Sequence, residues 1–359
     1  MRVLLVAARF GGVSGTGQHV AGLYKYLTRS GFTVDVATAD NSPHLNVPGL
    51  KTPTFALLSA LAHAGRHYDV IHAHNVPQAL IFKTTRGKKV LTLHGFFAEQ
   101  EAMLRGSLVG ATAAALEKKA LSWADSVTAV SMVVADSAKR YRPDIQYIPN
   151  AVDTEQLPKP LSPDQRMGVI YAGRLSREKG VDIIPELAKK IPDVQFSIIG
   201  NGPLFSKLAN ESPSNVRLYG ALGHSATLEL MNRSRVFLLP SRSEGLSTSL
   251  IEAMMLGLTC VATNVGGNVE LLSEGRGYLA DYGVTSLEAA LRDALIEGRD
   301  TSPSMKYARE NYSWDAVVKR YVALYEMLSS QKRSKSWTIE SGPIRHTYRL
   351  LGRIHSSVY

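Results

Sequence analysis

The chain has one cysteine, Cys260, in 359 residues, so no internal disulfide can form. Cys260 sits in the apolar run Thr259-Cys260-Val261-Ala262, as expected for a buried, inert thiol in a reducing, cytoplasmic compartment. No apolar stretch approaches the roughly 20 residues that a spanning helix needs. The opening Met1 to Val6 lacks a signal-peptide layout and reads at once as a strand. Acids are scarce in two places: Lys and Arg outnumber Asp and Glu by 16 to 9 over residues 1–150 and by 6 to 1 over 331–359, against 19 to 21 over 151–330. The net charge of +10 therefore lies in the first part of the chain and in the tail. Such a distribution suits an anionic membrane surface at the inner face of the membrane. Nucleic acid is not expected as a partner, and the oligomeric state is left open.

What is present is an alternation of buried-strand runs and helix patterns, 45% hydrophobic and 20% charged, long enough for two domains. Residues 2–8 read as a parallel strand covered on both faces. A glycine-rich loop from Gly11 to Gly17 follows, then a helix over about Gln18–Ser30 and a strand over Thr33–Thr38, a βαβ opening. Further strands are expected at 70–72, 90–93, 126–130 and 146–148, with one long helix over about Phe97–Ser122. Within it, Gln100 to Lys119 carries Arg105, Lys118 and Lys119 beside an apolar stripe, a packed helix that is also compatible with a membrane surface. Pro158 to Pro163 reads as a linker. A second series of strands is expected at 168–172, 195–199, 216–219, 236–239 and 259–262. The resulting fold class is α/β, two doubly wound domains facing across a cleft. Their expected bounds are 1–157 and 164–312, followed by a helix over 313–330 with an apolar stripe and a basic tail over 331–359.

Two constellations carry chemistry. In the first, Glu244 and Glu252 bracket the start of a helix just after the run Val236-Phe237-Leu238-Leu239-Pro240. A helix start leaves N–H groups unpaired and attracts anions, so acids placed there suit the reading of hydroxyls, which sugars supply in number. The backbone N–H groups of Leu246 and Ser247 lie beside Glu244 in this reading. In the second, Arg174 and Lys179 follow a strand and are placed to converge on a diphosphate, the one as a planar fork and the other as a point charge. Gly15 and Gly17 let backbone approach a phosphate closely, although the same turn would fit a dinucleotide-binding protein. A metal site built from His72, His74 and His94 lacks a carboxylate or thiol partner at convincing spacing, so no metal is expected.

Glu244, seven residues and Glu252, continued by Ala253, Met254 and Gly257, resembles the signature of the retaining GT-B glycosyltransferases of glycosyltransferase family 4. The resemblance covers most of residues 1–330 and is strongest over 168–275. It implies a GT-B fold and sugar transfer from a uridine- or guanosine-diphosphate sugar to a glycan or lipid-linked acceptor, in surface glycan or glycolipid synthesis. No cofactor is implied beyond the donor, and no metal is required. Arg174 and Lys179 would hold the phosphates, Glu244 the transferred sugar, Glu252 the ribose, and His94 would face the reacting carbon. Gly15 and Gly17 would cap the diphosphate and Gly202 would border the nucleotide. His19 matches a frequent histidine, with packing and catalysis both open. Pro149-Asn150-Ala151-Val152-Asp153 resembles the hinge motif, with Ala151 where glycine is usual. Glu270, in Gly266-Gly267-Asn268-Val269-Glu270, is expected to be structural. The helix over 313–330 is expected to cross back to the first domain. A nucleotide-sugar epimerase of the same fold and a non-catalytic sugar-nucleotide-binding subunit remain as alternatives.

Overall fold

The computed structural model describes residues 1–12, 15–47, 51–297 and 299–330. The basic tail over 331–359 lies outside the described residues, as do Val13 and Ser14 of the glycine-rich loop. Strands β1 (Arg2–Val6), β2 (Thr33–Ala37), β3 (His67–His74), β4 (Arg86–Leu93), β5 (Ser126–Ala129) and β6 (Gln146–Tyr147) form one parallel sheet in the order β2-β1-β3-β4-β5-β6. Strands β7 (Val169–Ala172), β8 (Phe196–Ile199), β9 (Val216–Gly220), β10 (Val236–Leu239), β11 (Thr259–Thr263) and β12 (Tyr278–Ala280) form a second, in the order β12-β11-β10-β7-β8-β9. The central strands β7 and β10 are buried at every residue, because helices cover both faces and neither face can be polar.

Both sheets reverse strand order once, the first between β1 and β3 and the second between β7 and β10. In open α/β sheets the crevice for ligands opens at that reversal, beyond the C-terminal strand ends. The first sheet thereby presents the loops after β1, β3 and β4, and the second presents the loops after β7 and β10. Only the second sheet has the dinucleotide-binding strand order; the first has the flavodoxin-like one.

The structure departs from the sequence reading in the following places. The long helix over Phe97–Ser122 is two helices, Phe97–Arg105 and Ser107–Trp123, because Gly106 takes φ of 93° between them. The helix Lys51–Ala62 has no legible signal, because Phe55, Ala56, Leu57, Leu58, Ala60, Leu61 and Ala62 blur any helical period. β12 is equally silent, being only three residues long. The run 158–163 is fastened to the C-terminal half: Asn232 donates to the Lys159 carbonyl and accepts from the Leu161 amide.

The chain crosses between halves at 150–153 and again at 312–314, and the two crossings bond side by side. The Val152 amide donates to the Tyr312 carbonyl at 2.8 Å and the Trp314 amide to the Val152 carbonyl at 3.1 Å. The helix Trp314–Ser330 then lies on the first half, where Trp314, Val317, Tyr321 and Tyr325 pack with Val3, Leu5, Val20 and Leu23. Gly22 makes that contact feasible: a Cβ there would stand 2.1 Å from Trp314 Nε1. Gly22→Ala should therefore lower stability. The helix gain of about 1 kcal/mol is outweighed by an overpacking cost of about 1–3 kcal/mol or more. Urea unfolding checks this, and an unchanged or raised midpoint would refute the packing argument.

Candidate active site

The loops after β7 and β10 are locked together by a glycine. Gly180 ends the turn Arg177–Lys179 in the left-handed conformation, and a Cβ on it would lie 1.9 Å from the Pro240 carbonyl oxygen. Only glycine satisfies both demands. That approach brings Lys179 Nζ to 2.6 Å from Glu244 Oε1, which also accepts from Ser241 Oγ at 2.8 Å. The Glu244 side chain is 5% exposed. The sequence suggests separate partners for these two residues; the fold bonds them to each other. Arg174, in the same β7 loop, is held at its backbone, where its carbonyl accepts from Tyr171 OH at 2.8 Å. Its guanidinium is 64% exposed, and its ion pair with Glu178 is long at 3.9 Å.

Gly245-Leu246-Ser247 is not helical. The helix starts at Thr248, with Ser247 as its cap: Ser247 Oγ accepts from the Leu250 amide at 3.3 Å. The side chain of Ser247 is thus committed to the helix, and that of Leu246 to the core. Gly245 and Leu246 lie against the first half. The Leu246 carbonyl accepts from Asn150 Nδ2 at 2.8 Å, and a Cβ on Gly245 would stand 2.7 Å from the His94 carbonyl oxygen. Gly15, which opens the helix Gly15–Arg29, faces Thr248 Oγ1 across the same gap, at 3.8 Å from a built Cβ. His94, Gly15, Leu246 and Ser247 therefore meet where the two strand-order reversals face each other.

Glu252 and Gly202 sit elsewhere on the second half. Glu252 Oε1 pairs with His224 Nε2 at 2.8 Å, while His224 Nδ1 meets Gln156 Oε1 at 3.0 Å. His224 is invisible to sequence reasoning, since a lone histidine at the start of the helix His224–Asn232 has no motif around it. The hydrogen bond to Glu252 raises the His224 pKa above its ordinary value, against the effect of burial. Gly202 packs on the Leu175 carbonyl, and its amide donates to Asn201 Oδ1 at 2.7 Å.

On the first half, four histidines gather at the ends of β3 and β4 and on the first helix. His72 is enclosed, with Nδ1 on Tyr325 OH and Nε2 on Thr92 Oγ1, both at 2.6 Å. His74 Nδ1 meets His94 Nε2 at 3.1 Å, and His19 Nε2 meets Tyr321 OH at 3.3 Å. His19 Nδ1 and His74 Nε2 are buried with no protein partner. One nitrogen from each of His19, His74 and His94 lies within 4.8 Å of the others, the group among the described residues able to hold a metal ion. The sequence suggests His72 in that set; the fold substitutes His19, because both nitrogens of His72 are occupied. The two tyrosines that serve His19 and His72 come from Trp314–Ser330, more than 250 residues away in the chain, so local sequence could not reveal them.

Glu270 fastens the halves at the far side of the cleft. It accepts from the Met132 amide at 3.0 Å, from Tyr147 OH, and from Tyr312 OH at 3.2 Å. Burial raises its pKa against those three donors.

Residues 152–312 match the family described as "Glycosyl transferases group 1", and residues 13–156 match "Glycosyltransferase Family 4". The chain belongs to this glycosyltransferase family, and its fold is the GT-B fold. It is 28% identical over 364 residues to an uncharacterized glycosyltransferase of Methanocaldococcus jannaschii, covering 92% of this chain and 99% of that one. It is 32% identical over 200 residues to one component of the Homo sapiens phosphatidylinositol N-acetylglucosaminyltransferase, covering 52% of this chain but only 41% of that component. Among solved structures, sucrose-phosphate synthase from Thermosynechococcus elongatus superimposes with a TM-score of 0.76 at 20% identity, covering 91% of this chain and 99% of that one. The Anabaena protein HepE, solved with UDP and glucose, gives 0.69 at 18% identity, covering 92% and 99%.

The histidines make stability depend on pH. Burial holds His72 and His94 down to about 3 and, helped by neighbouring histidines, drives His19 and His74 well below the ordinary value. These rings stay neutral in the fold but take up protons near pH 6.5 once unfolded, so stability falls as pH drops below about 6.5. Each contributes a slope of up to about 1.4 kcal/mol per pH unit. His224 acts oppositely: its raised pKa stabilises below about 6.5, and that contribution fades as pH rises through the raised value. Four rings against one set the sign of the net effect. The urea midpoint should fall markedly from about pH 7.5 to about pH 5. A flat profile would show that the four rings are not held neutral.

Proposed function

We propose that this chain is a retaining glycosyltransferase that moves a sugar from a uridine- or guanosine-diphosphate sugar to a hydroxyl of a glycan or lipid-linked acceptor. The observation that carries this reading is the Lys179–Glu244 pair at 2.6 Å, set at the β7/β10 reversal and opposite the His94 loop. A carboxylate already held by Lys179 and Ser241 has one oxygen committed and the other left for sugar hydroxyls. Arg174, exposed in the same loop, is placed to fork onto the diphosphate. Lys179 and the N–H groups ahead of Thr248–Met255 add positive potential as charge builds on the leaving phosphate. Glu252, oriented by His224, would accept from the ribose diol, and Gly15, Gly17 and Gly202 would border the nucleotide and its phosphates. His94 lines the acceptor side, where it offers a hydrogen bond to sugar hydroxyls, with the buried His19 and His74 behind it.

The acceptor oxygen attacks the anomeric carbon on the face from which the diphosphate departs. The carbon–phosphate-oxygen bond breaks, the new glycosidic bond forms, and the acceptor proton passes to the leaving phosphate. No side chain forms a covalent intermediate, and the configuration is kept. A lipid acceptor is favoured by the name of the human relative, a component of a phosphatidylinositol N-acetylglucosaminyltransferase, and by the basic excess over residues 1–150. The same features favour peripheral attachment to the inner membrane face; no helix among the described residues is long and apolar enough to cross a membrane.

Thermal shift with UDP, GDP and their sugars tests the donor assignment. A ligand at 100 times its Kd should add about 2.7 kcal/mol, and the ranking identifies the base. Arg174→Ala should weaken every diphosphate ligand, and an unaltered shift in that variant would sink the phosphate assignment. Glu244→Gln should keep diphosphate binding but lower transfer by about 100-fold or more. Proton NMR of the product reads the anomeric centre, and an inverted configuration would exclude the same-face mechanism.

A further inference from the structure

An apolar groove that none of the roles above uses lies on the face of the first sheet opposite the helix Trp314–Ser330 and its histidine partners. Its volume is about 360 Å³, within the range of small-ligand sites, and Ala56, Val76, Leu80, Phe97, Leu116 and Trp123 line it. These residues come from three helices of the first half and from the turn Val76–Lys83. Two features tie the groove to the reaction cleft. Val76 and Pro77 follow directly on His74 and Asn75 at the end of β3, and Phe97 stands three residues after His94 at the end of β4. Asn75 Oδ1 accepts from the His94 amide at 3.1 Å, so the two strand ends and the two groove walls are held together. Three residues reach at most about 11 Å, which places one end of the groove at the His94 loop.

The other end is apolar on the outside as well. Leu57 and Leu61 are exposed and follow the lining residue Pro53 at i+4 and i+8, on one ridge of Lys51–Ala62. Leu108 is exposed on the same helix as Leu116. Charge at the groove is mostly positive. Lys51 is in its lining, Lys83 Nζ lies 4.5 Å from the centroid of the Trp123 ring, and Glu101 is the acid of the lining.

We propose that this groove takes one acyl chain of a phospholipid acceptor, entering past Leu57 and Leu61 and delivering the head group to the His94 loop. The inference rests on the transfer reading above and assigns its acceptor class. An alkyl chain gains by leaving water for such a cleft, and the gain grows with each methylene buried. Lys51, at the end of its helix nearer the C-terminal strand ends, matches the phosphate, and a groove that ends at His94 sets the reacting hydroxyl in the cleft while the chain stays out of water.

Trp123 reports directly on occupancy, because it lines the groove. Lysophosphatidylinositol carrying a brominated acyl chain should quench the tryptophan fluorescence of the full-length chain saturably. Trp123→Phe should remove that quenching, which assigns the signal to this ring and not to Trp314 or Trp337. Leu116→Glu and Leu80→Glu each place a carboxylate in the groove at partly exposed positions and should weaken binding at least 10-fold, with the nucleotide-sugar thermal shift retained. Inositol phosphate without a chain should not compete. Quenching that is absent, that survives both glutamate variants, or that farnesyl phosphate produces while the phospholipid does not would overturn the proposal. A nucleotide-sugar shift that persists alongside such a result leaves the transfer reading standing; a native chain with no shift from any nucleotide sugar removes that reading instead.

Discussion

A carboxylate held almost out of water beside an ammonium is the interaction on which this site depends. Glu244 has little solvent to stabilise its charge, so Lys179 and Ser241 must do so. Their convergence requires the β7 and β10 loops to touch, and Gly180 permits that contact. The arrangement is costly as a stability device, since a buried ion pair often returns less than an apolar replacement would. Its value lies in fixing one carboxylate oxygen and directing the other, at the place where the second sheet reverses strand order.

The two halves are joined by few but specific contacts. Asn150 donates to Leu246, Glu270 gathers donors from Met132, Tyr147 and Tyr312, and the crossings at 150–153 and 312–314 bond to one another. Asp153 strengthens the hinge. Burial pushes its carboxyl up, but Lys25, Tyr26 and Gln156 outweigh that and hold it below the ordinary range. In the proposed transfer, such links suit a cleft that admits a donor and then excludes water while the acceptor is oriented. The helix Trp314–Ser330 keeps the first half rigid meanwhile. It sets Tyr321 against His19 and Tyr325 against His72, so these buried rings are held in a fixed frame behind His94.

Short apolar runs bounded by turn residues, such as Val236-Phe237-Leu238-Leu239, read as strands covered on both faces, and the loops after them lie at a sheet's C-terminal edge. Local sequence therefore determined the α/β class, the number of sheets, and which loops carry Arg174, Lys179, Glu244 and His94. It failed where periodicity was masked, as in Lys51–Ala62, or where one glycine broke a pattern, as at Gly106. It also had no access to pairings between distant segments. That Lys179 meets Glu244, that His224 holds Glu252, that Tyr321 and Tyr325 serve two histidines, and that helices on either side of His94 leave an apolar groove were decided by the tertiary structure. The physical reason is one of range: hydrophobic period and turn chemistry act within a few residues, whereas a hydrogen bond or an ion pair is chosen by whichever groups packing brings within about 3 Å.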